Sequence, residues 1–160
     1  MMSQTLVAYF SASGETARLA KTVAEVTDGD LFEIQPETAY TAADLDWMDK
    51  RSRSTLEMND AKSRPTIANR VADMARYDTV FVGFPIWWYQ APRIIESFLE
   101  SYDFAGKRVI PFATSGGSGM GKTAEILKAS CPGASVDAGK RLSSRENAAS
   151  VQRWVESLHI

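Results

Sequence analysis

The segment Thr5–Thr16, TLVAYFSASGET, confines this chain to few folds, because an apolar run ends abruptly in small hydroxylated residues and a helical pattern follows at once. Leu6, Val7, Ala8, Tyr9 and Phe10 have the near-continuous apolar, partly β-branched and aromatic character of a strand buried on both faces, which a parallel sheet covered by helices requires. Ser11, Ser13 and Thr16 then surround Gly14, and Leu19, Ala20, Val23, Ala24 and Val26 recur at helical spacing. A strand, a small polar turn and a helix in that order aim backbone N–H groups and hydroxyls at one point, at the positive end of a helix dipole. That point suits an anion, and a phosphate above all.

The pattern recurs along the chain. Leu31–Gln35 is strand-like and closes at Pro36, Thr79–Phe84 is an all-apolar strand ending at Pro85, Arg108–Thr114 runs into a glycine-rich turn over Ser115–Gly121, and a weaker strand spans Ala134–Leu142. Between them Ile94, Ile95, Phe98, Leu99 and Tyr102 share one side of a helix, and a second helix runs from Lys122 to Ala129 until Pro132 and Gly133 stop it. A terminal helix with Val151, Trp154, Val155 and Leu158 as its buried stripe is expected to begin with a Ser143–Glu146 capping box. The polar stretch from Glu37 to Tyr77 predicts helix over 42–56 and again over 67–75, with less order over 59–65.

Five strands alternating with helices predict a doubly wound, five-stranded parallel α/β sheet in three layers, α/β/α. In such sheets a ligand sits beyond the carboxyl ends of the strands, where the strand order reverses. The three unusual loops follow strands one, three and four, so they share one edge and can converge on a single ligand.

Composition narrows the function classes. The 160 residues, 44% of them hydrophobic, suit one domain with a real core, residues 1–160. No 18-residue apolar run and no basic region followed by an apolar segment occur, so a cytoplasmic protein without a membrane span or signal peptide is expected. With 18 basic against 20 acidic residues, a net charge of −2 and no basic run, neither nucleic acid nor a membrane surface is the expected partner. Cys131 is the single cysteine and His159 the single histidine, one residue from the end, so neither an internal disulfide, a metal cluster nor a histidine base is expected.

Two loops carry further chemistry. Pro85, Ile86, Trp87, Trp88 and Tyr89 place three large aromatic side chains at a strand's carboxyl end, where ordering them in water is unfavourable without something to cover them. A flat heterocycle would cover them, and one indole is expected to stack on it while the other packs inside. The other loop, Gly116–Thr123, reads GGSGMGKT and formally satisfies the G-x-x-x-x-G-K-[ST] phosphate loop. A nucleotide hydrolase would use Lys122 on a β/γ-phosphate, Thr123 on Mg²⁺ and an Asp from a later strand, for which Asp137 is the sole candidate, yet only 37 residues follow Thr123. The same glycines also suit a backbone that approaches a flat ring closely.

With all three loops in view, the chain resembles the flavodoxin family over nearly its whole length, Leu6 to Leu158, and more closely its members with PIWW and TSGGSG segments. The resemblance implies FMN as cofactor and no metal. It assigns the phosphate to Ser11, Ala12, Ser13, Gly14, Glu15 and Thr16, and an aromatic wall for the isoalloxazine to Pro85, Ile86, Trp87, Trp88 and Tyr89. It assigns the other wall and the pyrimidine edge to Thr114, Ser115, Gly116, Gly117, Ser118 and Gly119. It departs from typical electron carriers in two ways. Those are strongly acidic, and many have in the second loop a glycine that flips its peptide on one-electron reduction, whereas Trp87–Gln90 contains none. The implied function is an FMN-binding redox protein, a flavodoxin-like electron carrier, that serves a redox partner protein or a small-molecule acceptor. The alternative is an NAD(P)H-dependent FMN-containing quinone reductase, in which the segment with Tyr40, Trp47, Lys50, Arg51 and Arg53 overhangs the flavin. A phosphate-loop hydrolase through Gly116–Thr123 stands third.

Overall fold

The structure, a computed structural model, describes residues 4–12, 14–114, 119–143 and 146–160. Its strands are β1 (Thr5–Tyr9), β2 (Asp30–Glu33), β3 (Thr79–Pro85), β4 (Arg108–Thr114), β5 (Ser135–Val136) and β6 (Lys140–Leu142). Its helices are α1 (Glu15–Thr27), α2 (Arg53–Asn59), α3 (Arg93–Glu100), α4 (Thr123–Ser130) and α5 (Ala148–Ser157). The strands form one parallel sheet in the order β2-β1-β3-β4-β5, with β6 also on β4. The expected fifth strand is therefore two short pieces along β4, Ser135 and Val136 beside Arg108 and Val109, then Lys140–Leu142 beside Phe112–Thr114. The order reverses between β1 and β3, as a doubly wound sheet requires.

Alternation along the strands divides the core into two faces. Leu6, Ala8, Phe10, Val80, Val82 and Phe84 pack with Ile94, Ile95, Phe98 and Leu99 of α3 and Leu127 of α4. Val7, Tyr9, Phe81, Ile110 and Phe112 pack with Leu19 and Val23 of α1 and Val151 and Trp154 of α5. Full burial of such a side chain contributes roughly 1.5–3 kcal/mol, so these two clusters, rather than the loops, hold the sheet together. Among the described residues no helix is long and apolar enough to cross a membrane.

The structure corrects three local expectations. Residues 42–51 form successive turns rather than helix, and only Arg53–Asn59 is helical. The cause is local competition: Asp44, Asp46 and Asp49 each accept a hydrogen bond from a nearby backbone N–H, of Thr41, Met48 and Arg51 respectively, and Ser52 caps α2 by accepting from Thr55 N. Nor is 67–75 a helix. Glu37 N donates to Thr66 O and Ala68 N to Gln35 O, which pairs Ile67 with Pro36 as an antiparallel bridge, and only a 3₁₀ turn remains at Met74–Arg76. The capping box of α5 lies on Asn147 and Ser150 instead of Ser143 and Glu146, because Asn147 accepts from Ser150 N at the helix's actual start.

Candidate functional site

At the carboxyl end of β1 the turn is self-supporting. Ser11 Oγ accepts hydrogen bonds from Gly14 N (3.0 Å) and Ala17 N (3.3 Å). Gly14 caps α1 at φ 91°, where only glycine is unstrained, and a Cβ there would meet nothing within 4 Å. The space over the helix end is therefore open. The first-turn N–H groups of Glu15 and Thr16 have no intrahelical acceptor and sit at the positive end of the dipole. The buried Thr16 hydroxyl pairs instead with that of Thr114, 2.8 Å away at the end of β4, so its backbone N–H is what it offers an anion. Ala12 is half-buried beside this turn, and Glu15 is exposed.

At the end of β3 the chain does something costlier. Ile86 N donates to Thr114 O, after which Trp87 and Gln90 exchange both backbone hydrogen bonds, at 2.9 and 3.0 Å. Trp88 and Tyr89 close this two-residue turn with φ of 50° and 63°. Asn-Gly is the usual occupant of such a turn, and each bulky residue held in the left-handed region costs about 1–3 kcal/mol. The turn is braced from α4. Thr123 Oγ1 donates to the carbonyls of Tyr89 and Met120, and Gly121, at φ 56°, lies so close that a Cβ would stand 2.8 Å from Tyr89 O.

The two indoles divide as expected on the packing side. Trp87 packs edge-on against Phe10 (centroids 5.8 Å, 89°) and Tyr40 (5.6 Å, 67°), whereas Trp88 and Tyr89 remain 41% and 60% exposed. Pro85 and Ile86 lead into the turn, half-buried. A cleft of about 360 Å³ opens here, lined by Leu45, Trp47 and Ser54 together with Ile86, Trp87, Trp88 and Tyr89.

Beside the turn, against Trp87, lies an ordered network. The Tyr40 hydroxyl donates to Glu57 (2.5 Å), Arg53 Nε donates to the same carboxylate (2.9 Å), and the Arg53 guanidinium lies 3.7 Å over the Tyr40 ring. Burial first, and the Glu57 carboxylate next, push the Tyr40 hydroxyl well above the usual phenol range. Next to the turn in the chain, Arg93 and Glu96 of α3 form a buried ion pair at 2.9 Å. Neither Glu57, Gln90 nor Arg93 stands out in the sequence. The one available signal is an Arg–Glu pair three residues apart on a short helix whose other buried residues, Ile94, Ile95, Phe98 and Leu99, are apolar.

The third loop is described at its two ends. Thr114 is buried at the end of β4 and Gly119 is exposed with open space beside its Cα, while Ser13, Ser115, Gly116, Gly117 and Ser118 lie outside the described residues. The phosphate-loop reading fails on its own metal ligands. Thr123 is 1% exposed with its hydroxyl committed to two carbonyls, and Asp137 is held bidentately by Arg108 at 3.0 and 2.7 Å. No group of three or more His, Cys, Asp or Glu that could hold a metal ion occurs among the described residues. Cys131 is buried, its thiol donates to Leu127 O, and burial pushes its pKa up.

The comparisons with known proteins agree with this geometry. The family model described as flavodoxin matches residues 4–158. A protein of Bacteroides uniformis, provisionally named a flavoprotein, is 53% identical, with a TM-score of 0.91 over 96% of this chain and 98% of its own. Another from Bacteroides eggerthii, named in the same way, is 45% identical with a TM-score of 0.92 over 99% of both chains. A flavoprotein of Lactobacillus acidophilus, solved in complex with FMN, shares the fold at 24% identity and a TM-score of 0.72, over 96% of this chain and 99% of its own. No curated protein matches. A parallel sheet in the order 2-1-3-4-5, a polar turn after its first strand and a family match over nearly every residue lead to one statement: this chain belongs to the flavodoxin family.

Proposed function

We propose that the chain is an FMN-binding redox protein that passes electrons to a partner protein or a small-molecule acceptor. The observation that carries this reading is the convergence, at one sheet edge, of a helix N-terminus opened by Gly14 and a strained turn that holds an indole outward. The residues present fit the cofactor. Ser11 shapes the turn by accepting from Gly14 N, and the N–H groups of Glu15 and Thr16 suit a single terminal phosphate better than a metal-bound triphosphate. Trp88 offers a flat, accessible face, and Thr114 with Gly119 bounds the opposite wall. The flavin, when bound, supplies the one- and two-electron chemistry.

The protein's part is to orient and tune. Trp87, fixed between Phe10 and Tyr40, backs the wall that Trp88 extends. None of the side chains assigned to phosphate or ring carries a positive charge. Reduction adds negative charge to such a site, and burying charge without a partner is unfavourable, so the site lowers the cofactor's potential. The similar flavoproteins, one of them solved with FMN, support the same reading.

One observation favours the second reading, an NAD(P)H-dependent FMN-containing quinone reductase. Trp47, 69% exposed, lines the same cleft as Trp88, which adds a second aromatic face for an acceptor ring. Titration of the apoprotein with FMN and, separately, with ATP tests the first reading: FMN binding with quenched flavin fluorescence is expected, and ATP binding without FMN binding overturns it. NADPH consumption with and without a quinone then separates carrier from reductase.

A further inference from the structure

Arg93 opens α3 directly after the aromatic turn and is only 4% exposed. Its guanidinium donates to the Gln90 side-chain carbonyl (3.1 Å), to Glu96 Oε1 (2.9 Å) and to the main-chain carbonyls of Glu57 (3.3 Å) and Met58 (2.9 Å) in α2. These partners belong to the aromatic turn, to α2 and to α3 itself. Gln90 closes the turn that presents Trp88 and Tyr89, while Glu57 accepts from Tyr40, whose ring lies against Trp87. A single planar cation thus bonds the turn and α2 at once, a geometry that a lysine ammonium cannot reproduce. Its charge is balanced in place by Glu96 at 2.9 Å, and Arg64, which also reaches Glu96 at 3.2 Å, is itself paired with Glu100 at 3.0 Å; a buried cation without a partner would be strongly destabilising.

We propose that Arg93 is a positioning residue of the ring site: it anchors the Trp88–Tyr89 turn, through Gln90, to α2, and so governs how firmly the aromatic wall of that turn meets a flat ring. The proposal rests on the FMN reading above. It predicts an effect on the ring end alone, since among the described residues Arg93 hydrogen-bonds to Gln90, Glu96, Glu57 and Met58 and to none of the β1 turn, where the phosphate is assigned. A buried arginine that merely stabilises the fold would lower the melting temperature without changing affinity in protein that is still folded.

The experiment compares wild type, Arg93→Lys, Gln90→Ala and the double variant, each as apoprotein titrated with FMN and with riboflavin, which has the ring and lacks the phosphate, well below its melting temperature. Gln90→Ala deletes only the turn-side partner and leaves the backbone bonds between Trp87 and Gln90 in place. Each single variant is expected to weaken FMN and riboflavin by the same factor, about tenfold. The double variant is expected to be no weaker than Arg93→Lys, because both substitutions break one shared bond. Affinities within twofold of wild type, losses confined to FMN, or single effects that multiply in the double variant would overturn the proposal. Should Arg93→Lys fail to fold, Gln90→Ala decides alone. A wild-type protein that binds neither flavin sinks the FMN reading along with this one, whereas normal wild-type binding with unaltered variants sinks only the positioning role.

Discussion

At the end of β1, Gly14 takes a positive φ at no steric cost and Ser11 satisfies two neighbouring N–H groups, whereas at the end of β3, Trp88 and Tyr89 occupy the left-handed region with full aromatic side chains. The first turn is relaxed and held by bonds within seven residues. The second is strained and held from elsewhere, by Thr123 and Gly121 near the start of α4 and by Arg93 through Gln90. The contrast matches the two halves of a nucleotide-like ligand. A phosphate is met by backbone donors that any good helix terminus supplies, but a flat ring requires side chains pointed where the chain does not naturally point them.

The sharpest way to break the contrast is to separate the two indoles. Trp87→Ala removes a ring packed against Phe10 and Tyr40, and should cost about 3 kcal/mol of apoprotein stability, at the lower end for such a truncation because the ring is half-buried. Urea unfolding measures it. Trp88→Ala should leave that stability unchanged and weaken FMN about 10–100-fold, as expected for loss of one stacking face; equal behaviour of the two variants would erase the assignment of packing to one ring and stacking to the other.

Replacing Trp88-Tyr89 by Asn-Gly should move stability and affinity in opposite directions. Relief of the left-handed strain should stabilise the apoprotein by about 1–2 kcal/mol, seen as a melting temperature higher by roughly 2–8 °C, while FMN binding falls. At the relaxed turn, Ser11→Ala should destabilise by about 1 kcal/mol and weaken FMN more than riboflavin, which a paired titration reads directly.

The smallest effect is at alkaline pH. Tyr40 has its pKa raised from 10.0 by burial and by Glu57, so the stability it contributes is present below that ordinary value and lost as pH rises through the folded one. Tyr9 and Tyr77 shift in the same direction, so Tyr40→Phe should shrink, without abolishing, the decline in the urea midpoint above about pH 10.

The sheet and the convergence of three loops on one edge were legible in the sequence because they depend on near-continuous apolar runs, such as Thr79–Phe84, and on where those runs stop. The segment from Glu37 to Tyr77 was not. Its aspartates serve helices and local turns equally well on paper, and the backbone is decided by which of those side-chain bonds form and by the bridge of Pro36 to Ile67. The aromatic content of the second loop could be read, yet its positive φ values could not, since nothing local to a Trp-Tyr pair favours them. They are imposed by Gly121 and Thr123, more than thirty positions away.

That turn also bears on how the sequence can drift. Under selection for folding alone, positions 88 and 89 would relax toward Asn-Gly, since almost any step in that direction is stabilising. Two aromatics in an unfavourable backbone conformation are what a requirement opposed to stability would place there. The same opposition gives laboratory evolution a diagnostic: heat-challenged libraries of this chain should lose Trp88 early, and libraries sorted on flavin retention should keep it.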